Sequence, residues 1–121
     1  MNIEQIRTYC LLKKGVTEDF PFDADTLVFK VLGKMFALIG LQKWELGEKA
    51  INLKCDPNFA EELRAEYGSI RPGYHMSKKH WNTLYIHEGE LSPKFICELI
   101  DHSYDMVVKG MTKKMRDSLD V

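Results

Sequence analysis

Hydrophobic residues recur along this chain at two spacings, and the switches between them mark out its elements. Near the start, Ile3, Ile6 and Cys10 share one side of a helical wheel while Glu4, Arg7, Thr8 and Lys14 lie elsewhere, which predicts an amphipathic first helix. Asn2 is placed to cap it, Gln5 three positions later is the capping-box partner, and Gly15 ends it. From Thr26 the spacing becomes two. Leu27, Phe29 and Val31 face one way and Thr26, Val28 and Lys30 the other, the pattern of a strand. Leu32-Gly33-Lys34 turns the chain, and Met35 to Ile39 returns as an almost wholly apolar strand, expected at the centre of a sheet or covered on both faces. A third strand runs from Ala50 to Cys55, with Ile51, Leu53 and Cys55 facing inward.

Two helices announce themselves by a capping residue followed by proline. Asp56-Pro57 opens one in which Phe59, Ala60, Leu63 and Tyr67 line a single face before Gly68 stops it. Ser92-Pro93 opens the longest, with Ile96, Leu99, Ile100, Ser103 and Val107 as its buried stripe. Gly110 breaks that helix, and Thr112 caps a short last turn. The segment Val16 to Asp25 is acidic and punctuated by Pro21, so it reads as a loop whose Phe20 and Phe22 tuck inward. Gly40 to Lys49 reads as an exposed connection holding Trp44. From Arg71 to Asn82 a hairpin is expected: Arg71-Pro72-Gly73 as a turn, Tyr74 to Met76 as a short strand, Ser77 to His80 as a tight connection, and a second strand from Trp81 to Ile86.

Strands clustered in hairpins with helices grouped around them predict an α+β domain: a single antiparallel sheet in the order α-β3-α-β2-α plus a short C-terminal helix, with the helices packed on the sheet. One domain over residues 1–121 accommodates this. There is no strand-helix alternation, no Gly-x-Gly-x-x-Gly and no P-loop, so a doubly wound nucleotide-binding sheet is excluded.

Composition changes the picture in one respect. With 17 basic and 18 acidic side chains the net charge is -1, so no global field draws the protein to nucleic acid or to an anionic membrane. Any such attraction must be local, and the stretch from Arg71 to Asn82 is where it lies: basic and aromatic residues without one acid. No apolar run approaches the roughly 18 residues that span a bilayer, and the opening Met-Asn-Ile-Glu-Gln reads as a helix start rather than a secretory leader. A cytoplasmic monomer that does not enter membranes is expected. Cys10, Cys55 and Cys97 are odd in number and set among apolar neighbours, as reduced core thiols are.

At this point the chain resembles the MmcQ/YjbR family of small bacterial proteins over nearly its whole length. The residues that carry the resemblance are Gly15 to Phe22, Val28-Phe29-Lys30-Val31 with Gly33 to Ala37, Leu53 to Pro57, Arg71 to Met76, Lys78 to Asn82, and Ile100 to Tyr104. The connection around Trp44 is the least family-like part. The resemblance implies a secretion-chaperone-like fold, α-β3-α-β2-α, and DNA binding through a double wing of β-hairpins. It brings no catalytic residue.

Three readings of the chemistry follow. In the first, Arg71, Lys78 and Lys79 contact phosphates, His75 and His80 add donors, and Tyr74 or Trp81 packs on a sugar or base. Lys30 and Lys34 flank the other hairpin as a second wing, and Lys109, Lys113, Lys114 and Arg116 extend the patch. The plainer view of the same residues is a solvated turn anchored by its aromatics. In the second, an enzyme gathers His75, His80 and His102 with Asp101 or Glu98, or activates Cys55 beside the helix start at Asp56. No His-Glu-x-x-His, Cys-x-x-Cys or Gly-x-Ser-x-Gly supports it, the strand parity of Cys55 points it into the core, and His102 reads as a surface partner of Glu98. Neither catalysis, a metal nor a cofactor is expected. In the third, the protein is a chaperone-like interaction module with an exposed apolar patch at Leu41, Trp44 and Leu46, against the plainer and favoured view that Trp44 folds back onto its own sheet. The first is preferred: weak, salt-dependent DNA binding through the hairpins, with a protein partner as the alternative.

Overall fold

The computed structural model describes residues 1–119. Its strands are β1 (Val16–Asp19), β2 (Thr26–Val31), β3 (Lys34–Gly40), β4 (Ala50–Lys54), β5 (Ile70–Pro72) and β6 (Trp81–Tyr85), and its helices α1 (Ile3–Leu11), α2 (Leu41–Glu45), α3 (Pro57–Glu66), α4 (Pro93–Lys109) and α5 (Lys113–Leu119). The strands form one antiparallel sheet in the order β1-β2-β3-β4-β6-β5. This is the α+β architecture expected from the patterning, with β3 in the interior as its apolar run requires.

The two faces of the sheet are treated differently. Leu27, Phe29, Val31, Ile39, Ile51 and Leu84 join Ile6 and Cys10 of α1, Ala60 and Leu63 of α3, and Ile96, Ile100 and Val107 of α4 in one continuous core. Ser103 ties α4 to the sheet from within, donating to the carbonyl of Phe36 at 2.5 Å and accepting from the amide of Lys54 at 2.8 Å. On the opposite face Val28, Leu38 and Trp81 form a separate cluster, flanked by Met35 and Met76 and, among the described residues, by no helix side chain.

The caps stand where the sequence puts them. Asn2 and Gln5 exchange the two bonds of a capping box at 2.8 and 2.9 Å, Asp56 accepts from the Phe59 amide, and Ser92 accepts from the Phe95 amide. Thr112 likewise caps the last helix, which runs on to Leu119.

Three expectations are corrected. Val16 to Asp19 is an edge strand on β2 rather than loop. Glu18 there points to the helical face, which alternation alone would reserve for an apolar side chain, because Arg7 of α1 reaches it with a paired guanidinium. The same pairing holds the Glu18 carboxyl below its ordinary value. Phe20 and Phe22 are exposed, not tucked in. The carboxylate of Asp23 takes the amides of Asp25 and Thr26 at 2.9 and 2.6 Å, and this turn sends the chain into β2 before either ring can reach the core.

Second, the connection around Trp44 contains a helical turn, α2, and buries the indole to 7 % exposure in the main core beside Leu41. Third, the strand before the basic loop is Ile70–Pro72, and Tyr74 to Met76 is not strand. The ladder ends where the Gly73 amide donates to the Trp81 carbonyl at 2.8 Å, and His75 has left-handed backbone (φ 58°), which extended pairing cannot contain. The hairpin therefore has an eight-residue connection, residues 73–80.

Candidate nucleic-acid interface

The register of the sheet brings the two hairpin connections to one end. Val31 pairs with Lys34 across the β2–β3 turn, Ala37 with Leu53, Lys54 with Trp81, and Asn82 with Pro72. The Leu32-Gly33 turn, the end of β4 and the loop entering β6 thus share an edge. Both turn residues have positive φ, 48° and 82°, the geometry that lets a two-residue hairpin follow the strand twist. Only β4 separates β3 from β6, so these two strands reach that end about 10 Å apart.

The basic loop is held by its backbone, which frees its side chains. Arg64 of α3 donates from Nε to Asn82 Oδ1 at 2.6 Å and from Nη2 to the carbonyls of Lys78 and, at 3.2 Å, Trp81. The Cys55 amide donates to the His80 carbonyl at 2.8 Å, and the amides of His80 and Trp81 turn back to the Ser77 carbonyl. Trp81 is 8 % exposed and sits under the loop, while Lys78, Lys79 and His80 are exposed. Gly73 makes this fit possible, since a β-carbon there would stand 2.8 Å from that of Trp81.

The other residues singled out in the sequence separate into two groups. Lys34 is exposed beside the first turn. Arg71 is engaged in a two-oxygen pair with Glu88 at 2.8 and 2.9 Å, with its guanidinium carbon 4.4 Å from the Tyr85 ring centre. Lys30 reaches Asp19 at 3.5 Å. His75 is turned back over the helix-free face. Two further residues belong to this end and were not singled out in the sequence: Arg64 of α3, and Lys54, which pairs with Trp81 on the open side. Among the described residues, Lys34, Lys54, Lys78 and Lys79 take part in no ion pair. The one carboxylate of the adjoining helix start, Asp56, is spent on the Phe59 amide at 3.1 Å.

The groups an enzyme would draw on are placed otherwise. Burial raises the Cys10 thiol to about 12 and the Cys55 thiol to about 11, so both stay protonated at neutral pH. Cys97 is partly exposed, its sulfur 3.9 Å from that of Met1. His102 does not pair with Glu98 as the sequence suggested: its Nε2 accepts the Asp56 amide at 3.2 Å and its ring meets Phe59 edge-on, and burial lowers its pKa. Among the described residues no group of three or more His, Cys, Asp or Glu side chains is placed to hold a metal ion, and no helix is long and apolar enough to cross a membrane.

Known proteins share this chain's sequence pattern and fold. The YjbR family model matches residues 11–106. The uncharacterized protein YjbR of Escherichia coli K12 is 32% identical over 119 residues, 98% of each chain, and YbdF of Escherichia coli O157:H7 is 41% identical over 95 residues, 78% of this chain and 75% of its own. The crystal structure of Deinococcus radiodurans protein DR2400, a DUF419 domain, superposes with a TM-score of 0.87 at 39% identity over 99% of this chain and 88% of that one. A Pseudomonas syringae crystal structure gives 0.73 at 31% identity over 88% and 98%. The chain that carries this sheet and its basic end belongs to the YjbR family.

Proposed function

We propose that this is a non-catalytic, cytoplasmic nucleic-acid-binding protein that grips the backbone of a duplex with the end of its sheet. The observation that carries the reading is the convergence of two hairpin connections on one end, with Lys34, Lys54, Lys78 and Lys79 there and outside any ion pair among the described residues. Cations already matched to carboxylates gain little from a phosphate, whereas unmatched ones release the counterions that drive binding. Lys78 and Lys79 lead, Lys34 and Lys54 follow, and His80 supplies a donor. Arg71 and Lys30, paired within the chain, are secondary. The cytoplasmic part of the reading is supported by the three free cysteines, which suit a reducing compartment. The interaction-module alternative loses its anchor, because Trp44 is buried and Leu46 is left exposed without it.

The test is a fluorescence-anisotropy titration of a labelled duplex from low to physiological salt, with Lys78→Ala/Lys79→Ala beside the parent. The parent should weaken as salt rises, and the double variant should bind less tightly with the slope of log K against log salt reduced by about 1.8, roughly 0.9 for each phosphate that is no longer neutralised. No binding at low salt, or the same slope in both proteins, would overturn the reading.

A further inference from the structure

The helix-free face of the sheet is filled at one end and hollow at the other, and the cause lies in the sizes of its side chains. Toward the basic end Val28, Leu38 and Trp81 close over one another. Further along, the same face presents Thr26, Gly40, Ala50 and Thr83, which are too small to do so. What remains is a hollow of about 700 Å³, within the range of sites for small organic ligands. The loop Tyr74–His75–Met76 walls one side, Phe22 to Asp25 a second, and Lys43 with Glu48 a third.

Its chemistry is aromatic and carboxylate. Phe22 is 63 % and Tyr74 55 % exposed, and Tyr85 lies on the floor. Asp23, Asp25 and Glu48 stand around the rim against one ammonium, Lys43. The Asp23 carboxylate is taken up by the backbone amides of its own turn. Asp25 uses only Oδ1, which accepts from the Gln42 amide at 2.7 Å, and its Oδ2 faces the floor, 4.0 Å from where a β-carbon on Gly40 would stand. Asn52 and Thr83 share a 2.5 Å hydrogen bond on the floor, and Thr83 Oγ1 also accepts from the Tyr74 amide at 3.1 Å, which fixes the aromatic wall.

Lys43 shows what such a site holds. Its ammonium lies 4.4 Å from the centre of the Tyr74 ring, a cation against an aromatic face at the mouth of an acid-rimmed hollow. Arg71 occupies the Tyr85 ring in the same way at 4.4 Å, but with its charge balanced by Glu88. Lys43 is on an exposed helical turn and has no carboxylate partner among the described residues, so the Tyr74 ring is its main attraction. We infer that the hollow is a binding site for a small organic cation, an ammonium carrying an aromatic or alkyl body, and that Lys43 occupies the cation position when the site is empty. An anionic ligand would meet three carboxylates beside Lys43 and the His75 imidazole, whereas a cation meets the same carboxylates and the Tyr74 face once Lys43 swings aside. This inference does not rest on nucleic-acid binding, since Lys78 and Lys79 do not line the hollow.

The sign of one substitution separates the cases. The intact protein is titrated with benzyltrimethylammonium and, separately, with benzoate, by two-dimensional amide NMR and calorimetry, alongside Lys43→Met, Asp25→Asn and Tyr74→Ala. Benzyltrimethylammonium should shift the amides of Asn52, Tyr74 and Thr83 saturably. Lys43→Met should tighten it about threefold to tenfold by removing a competitor and a like charge, while Asp25→Asn and Tyr74→Ala should each weaken it several-fold. Tighter binding of benzoate, weaker cation binding in Lys43→Met, or no shift at the hollow with either compound would overturn the inference. Lys43 and Tyr74 are exposed, so their variants test the site rather than folding.

Discussion

The two faces of this one sheet are built from the same alternation and end in opposite states. On the helical side every second residue of β2 and β4 is apolar, a bulge in β3 turns Phe36 as well as Ala37 and Ile39 the same way, and these meet the helix stripes so that the space closes completely around Phe29, Ile39 and Ile51. On the other side the intervening residues are a mixture: Val28, Leu38 and Trp81 shield one another, while Thr26, Gly40 and Ala50 leave a hollow. Burial drives the first face, and once it is satisfied the second is free to carry chemistry. Both candidate sites obey this division. The hollow lies on the open face, and the basic loop entering β6 lies over its filled end, on Trp81.

The comparison predicts an asymmetry in stability. Ile100 is fully buried in the middle of the α4 stripe, and Ile100→Ala should cost about 3 kcal/mol, the largest effect of any change considered, because close packing leaves no route to collapse the cavity. Leu38→Ala on the open face should cost about half as much, since Met35, Met76 and Trp81 lie against a hollow and can settle into it. Urea unfolding of both variants gives the answer. Equal losses would mean that the open face is as tightly packed as the helical one, and the division between them would fail.

Much of the helical face was legible in the sequence, and the reason is local. The five buried positions of α4, the capping pairs Asn2–Gln5 and Ser92–Phe95, and the inward set of β2 each follow from residues within a few positions of one another. What the sequence hid depends on partners far along the chain. Glu18 makes β1 look like loop until Arg7 is seen beside it, and the polar run around Trp44 reads as an open connection although it forms α2. The hollow is harder still, because it is made by small residues scattered over four strands, and no window of sequence contains it. At the basic end the lysines were visible by composition. Their usefulness depends on which are already paired, and that only the register and the positions of Glu88 and Asp19 decide.

A smaller effect is expected where the faces meet. Arg64 extends from α3 to Asn82 and to the carbonyls of Lys78 and Trp81, joining the helical core to the basic loop. Asn82 is 1 % exposed and its Nδ2 has no partner among the described residues, so Arg64→Met would leave its Oδ1 unpaired as well. The expected cost is about 2 kcal/mol, from one buried acceptor and the carbonyls released with it. Amide hydrogen exchange should quicken in residues 77–81 and remain unchanged in α4. Duplex affinity should fall although no lysine has been altered, because the loop no longer presents its cations in a fixed geometry. If exchange in the loop is unaffected, Arg64 does not position it.

The smallest predicted effect is a pH dependence that belongs to the helical side alone. His102 is partly buried against Phe59 and its Nε2 accepts the Asp56 amide, so the folded protein holds the ring neutral and its pKa lies below the ordinary 6.5. When pH falls through 6.5, the unfolded chain takes up this proton before the folded one does. The stability contributed by the neutral ring is therefore complete above that pH and is lost progressively as pH falls toward the folded value. Glu18, Asp23 and Glu90, whose pKa values are also depressed, act only in more acidic solution, below the ordinary carboxyl value of 4.5 or less. Between pH 7.5 and 5.0 the loss should thus follow His102, and His102→Gln, which keeps an acceptor for the Asp56 amide but cannot titrate, should flatten the curve. Parallel curves for parent and variant would show that His102 does not set the pH response.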